Sequence, residues 1–168
     1  MARVHRGRFT ADYDQPFVVF VIGMRINRLW QFWKWIPVAM AMGPMLKTLF
    51  AHPEKGFLGV HTHLSWRTIT TIQYWKSFDH LERFARDKDD PHLEPWRRFN
   101  KKVRDSNAVG IFHETYMVPA RQFEAIYVNM PAYGLAKATA RVEASGKRET
   151  ARKRIGGDGA AAPVDGQA

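Results

Sequence analysis

Apolar residues along this chain come in short dense runs separated by turn-forming residues. PFVVFVIGM, Pro16 to Met24, is β-branched and aromatic and led by proline, which predicts a strand buried on both faces. From Arg28 to Phe50 the chain reads RLWQFWKWIPVAMAMGPMLKTLF, which predicts an amphipathic helix broken near Pro44. Pro53 disfavours helix before it and Gly56 suits a turn. GFLGVHTHLSW (Gly56 to Trp66) and RTITTIQYW (Arg67 to Trp75) then read as two strands of a hairpin. Ser77 is placed to cap a helix whose Phe78, Leu81 and Phe84 recur at helical spacing. After Pro91 a second helical piece places Trp96, Phe99 and Val103 on one face. VGIFHETYMV, Val109 to Val118, predicts the next strand, and FEAIYV, Phe123 to Val128, a final short one.

This order is β-α-β-β-α-β with one extra strand, the ferredoxin-like arrangement of an α+β protein with an antiparallel sheet. Helices cover one face of such a sheet, and the other must be solvated or covered. Phe17, Val19 and Val21 alternate with Val18, Phe20 and Ile22, and neither set is polar. The second face is therefore expected to lie against the same face of a second subunit, giving a homodimer with a ligand cavity lined by that inner face.

Composition narrows this picture. The chain has 168 residues, 45% hydrophobic and 13% aromatic, which suits one core-forming domain, expected over 16–135 after an N-terminal arm over 1–15. It has no cysteine, which excludes disulfides and thiolate chemistry and agrees with a cytoplasmic location. MARVHRGRFTADYDQP has no apolar core of the kind a secretory signal needs. The net charge of +10 suggests nucleic acid, but seven of the basic residues crowd into Lys137 to Arg154, among Ala, Gly, Ser and Thr. A segment of that composition buries little, so Ala136 to Ala168 is expected to be a disordered solubilising tail with no nucleic-acid partner. Lys34, Lys47, Pro37 and the Gly43-Pro44 pair keep the Arg28–Phe50 block from being a transmembrane span. A peripheral membrane helix anchored by Trp30, Trp33 and Trp35 is the alternative to a buried or dimer-facing helix.

Chemistry-bearing side chains are few. His113 and Glu114 are neighbours in a strand and so project to opposite faces, which rules out a simple dyad. One belongs with the helices, where an arginine such as Arg25, Arg97 or Arg98 would satisfy Glu114, and the other looks into the cavity. His61 and His63 share a face, but no further ligand lies at a recognisable spacing, so no metal site is expected. Trp30, Phe32, Trp33, Tyr74, Trp75 and Tyr116 are candidates to wall a flat apolar substrate. With no G-x-G-x-x-G, flavin or nicotinamide held by a Rossmann turn is set aside.

The blocks FVVFVIGMRINRLW, GFLGVHTHLSWRT, IQYWKSFDHLERFARDKDDPHLEPWRRFNKKV, VGIFHETYMVPARQFEAIYVNMP and YGLAKA resemble a bacterial and fungal family of monooxygenase-like proteins, whose named relative is the small monooxygenase of fumagillin biosynthesis. The similarity spans Phe17 to Thr139, and it places the chain among the dimeric α/β-barrel proteins, which include antibiotic-biosynthesis monooxygenases, haem-degrading enzymes and aldoxime dehydratases. The resemblance implies a monooxygenase acting on a hydrophobic or aromatic small molecule, with no cofactor. In that reading His113 is the base, Glu114 a second candidate acid or base, and Arg67 and Tyr74 donors that hold the anion, while Trp30, Trp33, Trp75 and Tyr116 wall the pocket. Haem bound through His113 or His92 is one alternative, because a histidine in the region of DDPHLEPW can ligate haem in the wider superfamily. A non-catalytic binding module for a hydrophobic metabolite is another.

Overall fold

The structure, a computed structural model, describes residues 2–86 and 107–155. Its elements are β1 (His5–Asp12), β2 (Phe17–Ile26), α1 (Phe32–Ala51), β3 (Phe57–Ser65), β4 (Thr68–Trp75), α2 (Phe78–Arg86), β5 (Val109–Val118), β6 (Tyr127–Met130) and β7 (Ala140–Glu143), with short helices at Gly134–Ala138 and Ala151–Arg154. They divide into a central unit, Val18–Met117, and a terminal unit made of the residues before and after it.

The central unit is a four-stranded sheet in the order β3-β4-β2-β5. β2 and β4 run antiparallel, with Val18 opposite Trp75 and Arg25 opposite Thr68. β3 and β4 are joined by the two-residue turn Trp66-Arg67, since Ser65 already pairs with Thr68. This is the ferredoxin-like α+β sheet, with α1 crossing from β2 to β3. One core cluster joins Val18, Phe57 and Trp75 of the strands to Leu49 of α1 and Leu81 of α2. A second sets Trp35, Val38 and Ala39 of α1 on Met24, Ile26 and Val109. Both helices therefore pack on the same face. Two glycines are needed for close approach: a Cβ at Gly23 would lie 2.5 Å from Cζ of Phe112, and one at Gly56 (φ +78°) would enter the His80 ring. Ser77 starts α2 by accepting the His80 amide at 3.3 Å, while its hydroxyl also meets His80 Nδ1 at 2.7 Å.

The terminal unit is a three-stranded antiparallel sheet, β6-β1-β7. Phe9 pairs with Tyr127 on one side and Glu143 on the other. Buried Thr10 donates to the Ala125 carbonyl at 2.7 Å, and Leu135, Ala136 and Ala144 complete the interior. Burial pushes the Tyr127 phenol above its ordinary value.

Several expectations change. Residues 1–15, expected to be an arm, contain β1, and the segment expected to be a tail contains β7 and the Ala151–Arg154 helix. Backbone ladders and arginine side chains on carbonyls, rather than large apolar residues, hold that segment, so its composition did not announce it. The last strand begins at Tyr127 rather than Phe123 and pairs with β1. α1 is continuous through Pro37 and Pro44, and Leu49 is its one fully buried residue. The helical piece carrying His92, Trp96, Phe99 and Val103 lies outside the described residues. No described helix is long and apolar enough to cross a membrane.

Candidate active site

The helix-bearing face of the central sheet is set by strand alternation. On β4 it presents Thr71, Gln73 and Trp75, on β2 Phe20 and Ile22, and on β5 His113 and Thr115. Between these residues and the helices lies a cavity of about 320 Å³. α1 roofs it with Met42, Met45 and Leu49, and α2 closes one side with Phe78, Leu81, Glu82 and Ala85. A smaller apolar space of about 50 Å³ continues under α1 between Val38, Met42 and Ile111. Between the α1 residues that pack on the sheet, Val38 and Ala39 at one end and Leu49 at the other, Met42 and Met45 face these spaces with flexible thioethers that adapt to irregular volumes.

His113 and Glu82 are the two ionisable groups on this wall. The His113 ring lies 5.8 Å, centroid to centroid, from Phe20. Glu82 pairs with Arg86 one turn later at 2.8 Å. Beside them runs a buried polar ladder. Trp75 Nε1 donates to Gln73 Oε1 at 3.1 Å, Gln73 Nε2 donates to Thr71 Oγ1 at 3.4 Å, and the Thr71 hydroxyl donates to the Ile22 carbonyl at 3.2 Å. Gln73 Nε2 also meets Met42 Sδ at 3.9 Å. The ladder satisfies each buried polar group and locks Gln73 and the fully buried Trp75 in single orientations. The arrangement offers a largely apolar chamber with a hydrogen-bonded floor, open to solvent at exposed His113, Thr115 and Phe78, and a histidine that can take or give a proton.

The expected site residues fall into three places. His113 and Trp75 line the cavity. Glu114, Tyr74 and Tyr116 lie on the opposite face of the sheet, where Tyr74 stands opposite Val19 and the Tyr116 hydroxyl donates to Glu114 at 2.6 Å. That hydrogen bond, with the nearby charge, raises the Tyr116 phenol. Among the described residues Glu114 has Tyr116 as its partner and Arg25 donates to Asn27 at 2.7 Å, while Arg97 and Arg98 lie outside the described residues. His61 and His63 share that opposite face, paired with Ile72 and Thr70. The remaining residues lie on neither face. Arg67 sits in the β3–β4 turn, its guanidinium 6.0 Å from the Trp66 ring and its buried Nε without a hydrogen-bond partner among the described residues. Trp30 and Trp33 are 68% and 60% exposed, because Trp35 is the tryptophan that turns toward the sheet. His92 is outside the described residues. Among the described residues no group of acidic or histidine side chains could hold a metal ion.

The structure thus puts the cavity on the helix side, whereas the sequence pointed to the face left for a second subunit. Gln73, Glu82, Thr115, Met42 and Met45 were missed. The period-two pattern Thr71-x-Gln73-x-Trp75 carried the signal, since it places two polar groups on the face that packs against helices.

Solved structures similar to the chain include SnoaB, a cofactor-independent oxygenase from Streptomyces nogalater, at 15% identity over 64% of this chain and 95% of that one, with a TM-score of 0.42. Rv0793 from Mycobacterium tuberculosis is similar at 13% identity over 59% and 92%, TM-score 0.42. A conserved protein from Methanosarcina mazei Go1 follows at 12% over 60% and 91%, TM-score 0.40. No curated protein matches the chain. The family model for monooxygenase af470-like proteins matches residues 17–135, which span β2 through the buried start of the Gly134–Ala138 helix, and the chain belongs to that family.

Proposed function

We propose that this member of a monooxygenase-like family oxidises a hydrophobic, electron-rich small molecule with dioxygen in the cavity beneath α1, with His113 as the base. The observation that carries this reading is the position of His113 on the wall of a chamber otherwise made of aromatic, aliphatic and thioether groups plus Thr115, Glu82 and the Gln73 ladder. A phenol or enolisable ketone bound against Trp75 and Phe20 gives its proton to His113, and burial makes the resulting anion reactive by removing water from it. The electron-rich carbon then forms a C–O bond to dioxygen. Loss of water from the hydroperoxide, which takes the remaining hydrogen of that carbon, leaves a quinone from a phenol or a dicarbonyl from a ketone, so the substrate itself supplies the electrons and no flavin or nicotinamide takes part.

The same residues fit haem poorly. Among the described residues the ionisable groups of the wall are His113 and Glu82, so none offers a cation to a propionate and Glu82 has the wrong sign. The opposite face of the sheet, with half-buried Val19, Val21 and Ile72 beside exposed Phe112 and Tyr116, is assigned to a second copy of the chain. Glu114, Tyr74 and Tyr116 belong to that interface in this reading.

The test is oxygen uptake and dicarbonyl formation with an enolisable aryl ketone, comparing the native chain with His113→Gln. Loss of turnover with retained ketone binding supports the reading. Unchanged turnover sinks the assignment of His113, and binding without turnover in the native chain makes the protein a binding module. A Soret band on haem titration that disappears in His113→Gln would overturn the cofactor-free mechanism.

A further inference from the structure

The terminal unit holds a second cavity, of about 230 Å³, with the opposite chemistry. Five basic side chains reach its wall, and two of them are structural. Arg154, whose side chain is 7% exposed, donates through Nε to Glu124 at 2.8 Å and through Nη1 to the carbonyls of Arg148 and Glu149 at 2.9 Å each. Arg148 pairs with Asp12 of β1 at 2.9 Å. Together they clamp the Gly146–Arg154 segment in place. Arg121, Lys147 and Lys153 have no carboxylate partner among the described residues, and the Lys153 ammonium reaches only the Gly146 carbonyl at 3.4 Å. Three uncompensated cations on one concave wall repel each other unless an anion lies between them.

Arg121 adds an independent observation. It is the third residue of a turn closed by the Gln122 amide on the Pro119 carbonyl at 3.1 Å, and its φ is +59°. That position favours glycine, and arginine there is strained. The turn holds this side chain at the wall of the cavity. Tyr13 and Phe123 form an aromatic part of the wall, held through Phe17 by edge-to-face contacts of 6.0 and 5.4 Å.

We propose that this cavity binds a small phosphorylated molecule, its phosphate oxygens held by Arg121, Lys147 and Lys153 and its flat or apolar part against Tyr13 and Phe123. Phosphate suits the site better than a single carboxylate because it brings two or more negative charges and oxygens that match the guanidinium fork.

The experiment is calorimetric titration of the full chain with inorganic pyrophosphate, with citrate and a short RNA as parallel arms. Saturable pyrophosphate binding is expected, weakening with added salt and weakening about tenfold or more in both Arg121→Gly and Lys147→Ala. Arg121→Gly removes the strained side chain, so its melting temperature should not fall and lost binding cannot be ascribed to misfolding. Arg25→Ala, a charge removed from the central unit, should leave the affinity unchanged. The proposal is overturned by absence of saturable binding, by affinity equal in Arg121→Gly and the native chain, by sensitivity to Arg25→Ala, or by citrate or RNA binding in preference to pyrophosphate.

Discussion

The two cavities of this chain are of comparable size and are built on opposite plans. That of the central unit lies between a sheet and two helices, and its wall takes its shape from packed side chains and one hydrogen-bonded ladder. That of the terminal unit lies among turns and short elements, and its wall is cationic, with guanidinium groups tied to carbonyls and carboxylates. In the reading proposed for the first, a single histidine acts beside mostly apolar groups. In the second no single cation matters as much as the number of them. The comparison teaches that the two proposed roles call for different surroundings: a base set among mostly apolar groups, and an anion held where positive charge is plentiful.

The comparison can be broken at five points. The largest effect is expected at His113: His113→Gln should lower oxygenase turnover about 10²–10⁴-fold while leaving thermal stability unchanged, measured by oxygen uptake and calorimetry. Next is the floor of the same cavity. Trp75→Ala should destabilise the protein by about 3–5 kcal/mol in denaturant titration, since the fully buried indole packs on Phe57 and Phe84. Gln73→Leu keeps the volume but leaves the Trp75 indole N–H and the Thr71 hydroxyl short of partners, a loss of about 1–3 kcal/mol by the same titration.

The terminal unit supplies the smaller effects. Burial raises Tyr127 above the ordinary phenol value of 10.0. The unfolded chain therefore releases this proton at lower pH than the folded one. The stabilisation is complete below the unfolded value and is lost as pH rises through the folded value. Tyr127→Phe should flatten that alkaline decline in pH-dependent melting. Smallest of all, Glu114→Gln, on the sheet face away from the cavity, should leave turnover per active site within about twofold if strand alternation has sorted these residues correctly. A loss as large as that of His113→Gln would show the two faces to be chemically joined.

Much of the fold was legible because strand and helix periods are local. The runs Pro16–Met24, Gly56–Trp66, Arg67–Trp75 and Val109–Val118 each mark a strand to within a few residues, and Ser77 marks the start of α2. The separation of His113 from Glu114 was legible for the same reason. The side of the sheet that holds the cavity was not, because a period of two shows which residues travel together and not how far a helix stands off them. The terminal sheet was hidden too. β1 and β7 are short and half polar, and Phe9 finds Glu143 across more than a hundred residues, so no local pattern links them. Arg121 was equally silent, since a left-handed arginine looks like any other in a sequence.

The roof of Met42 and Met45 has one more consequence, which concerns the protein's lifetime. Thioethers are easily oxidised, and they sit here over the space where dioxygen and a hydroperoxide would meet a substrate. Conversion to the sulfoxide makes the roof polar and stiffer, spoiling the apolar fit that admits the substrate. Turnover should therefore write its own record into the chain as added oxygen on these two residues, and the catalyst should age with the number of reactions performed rather than with time.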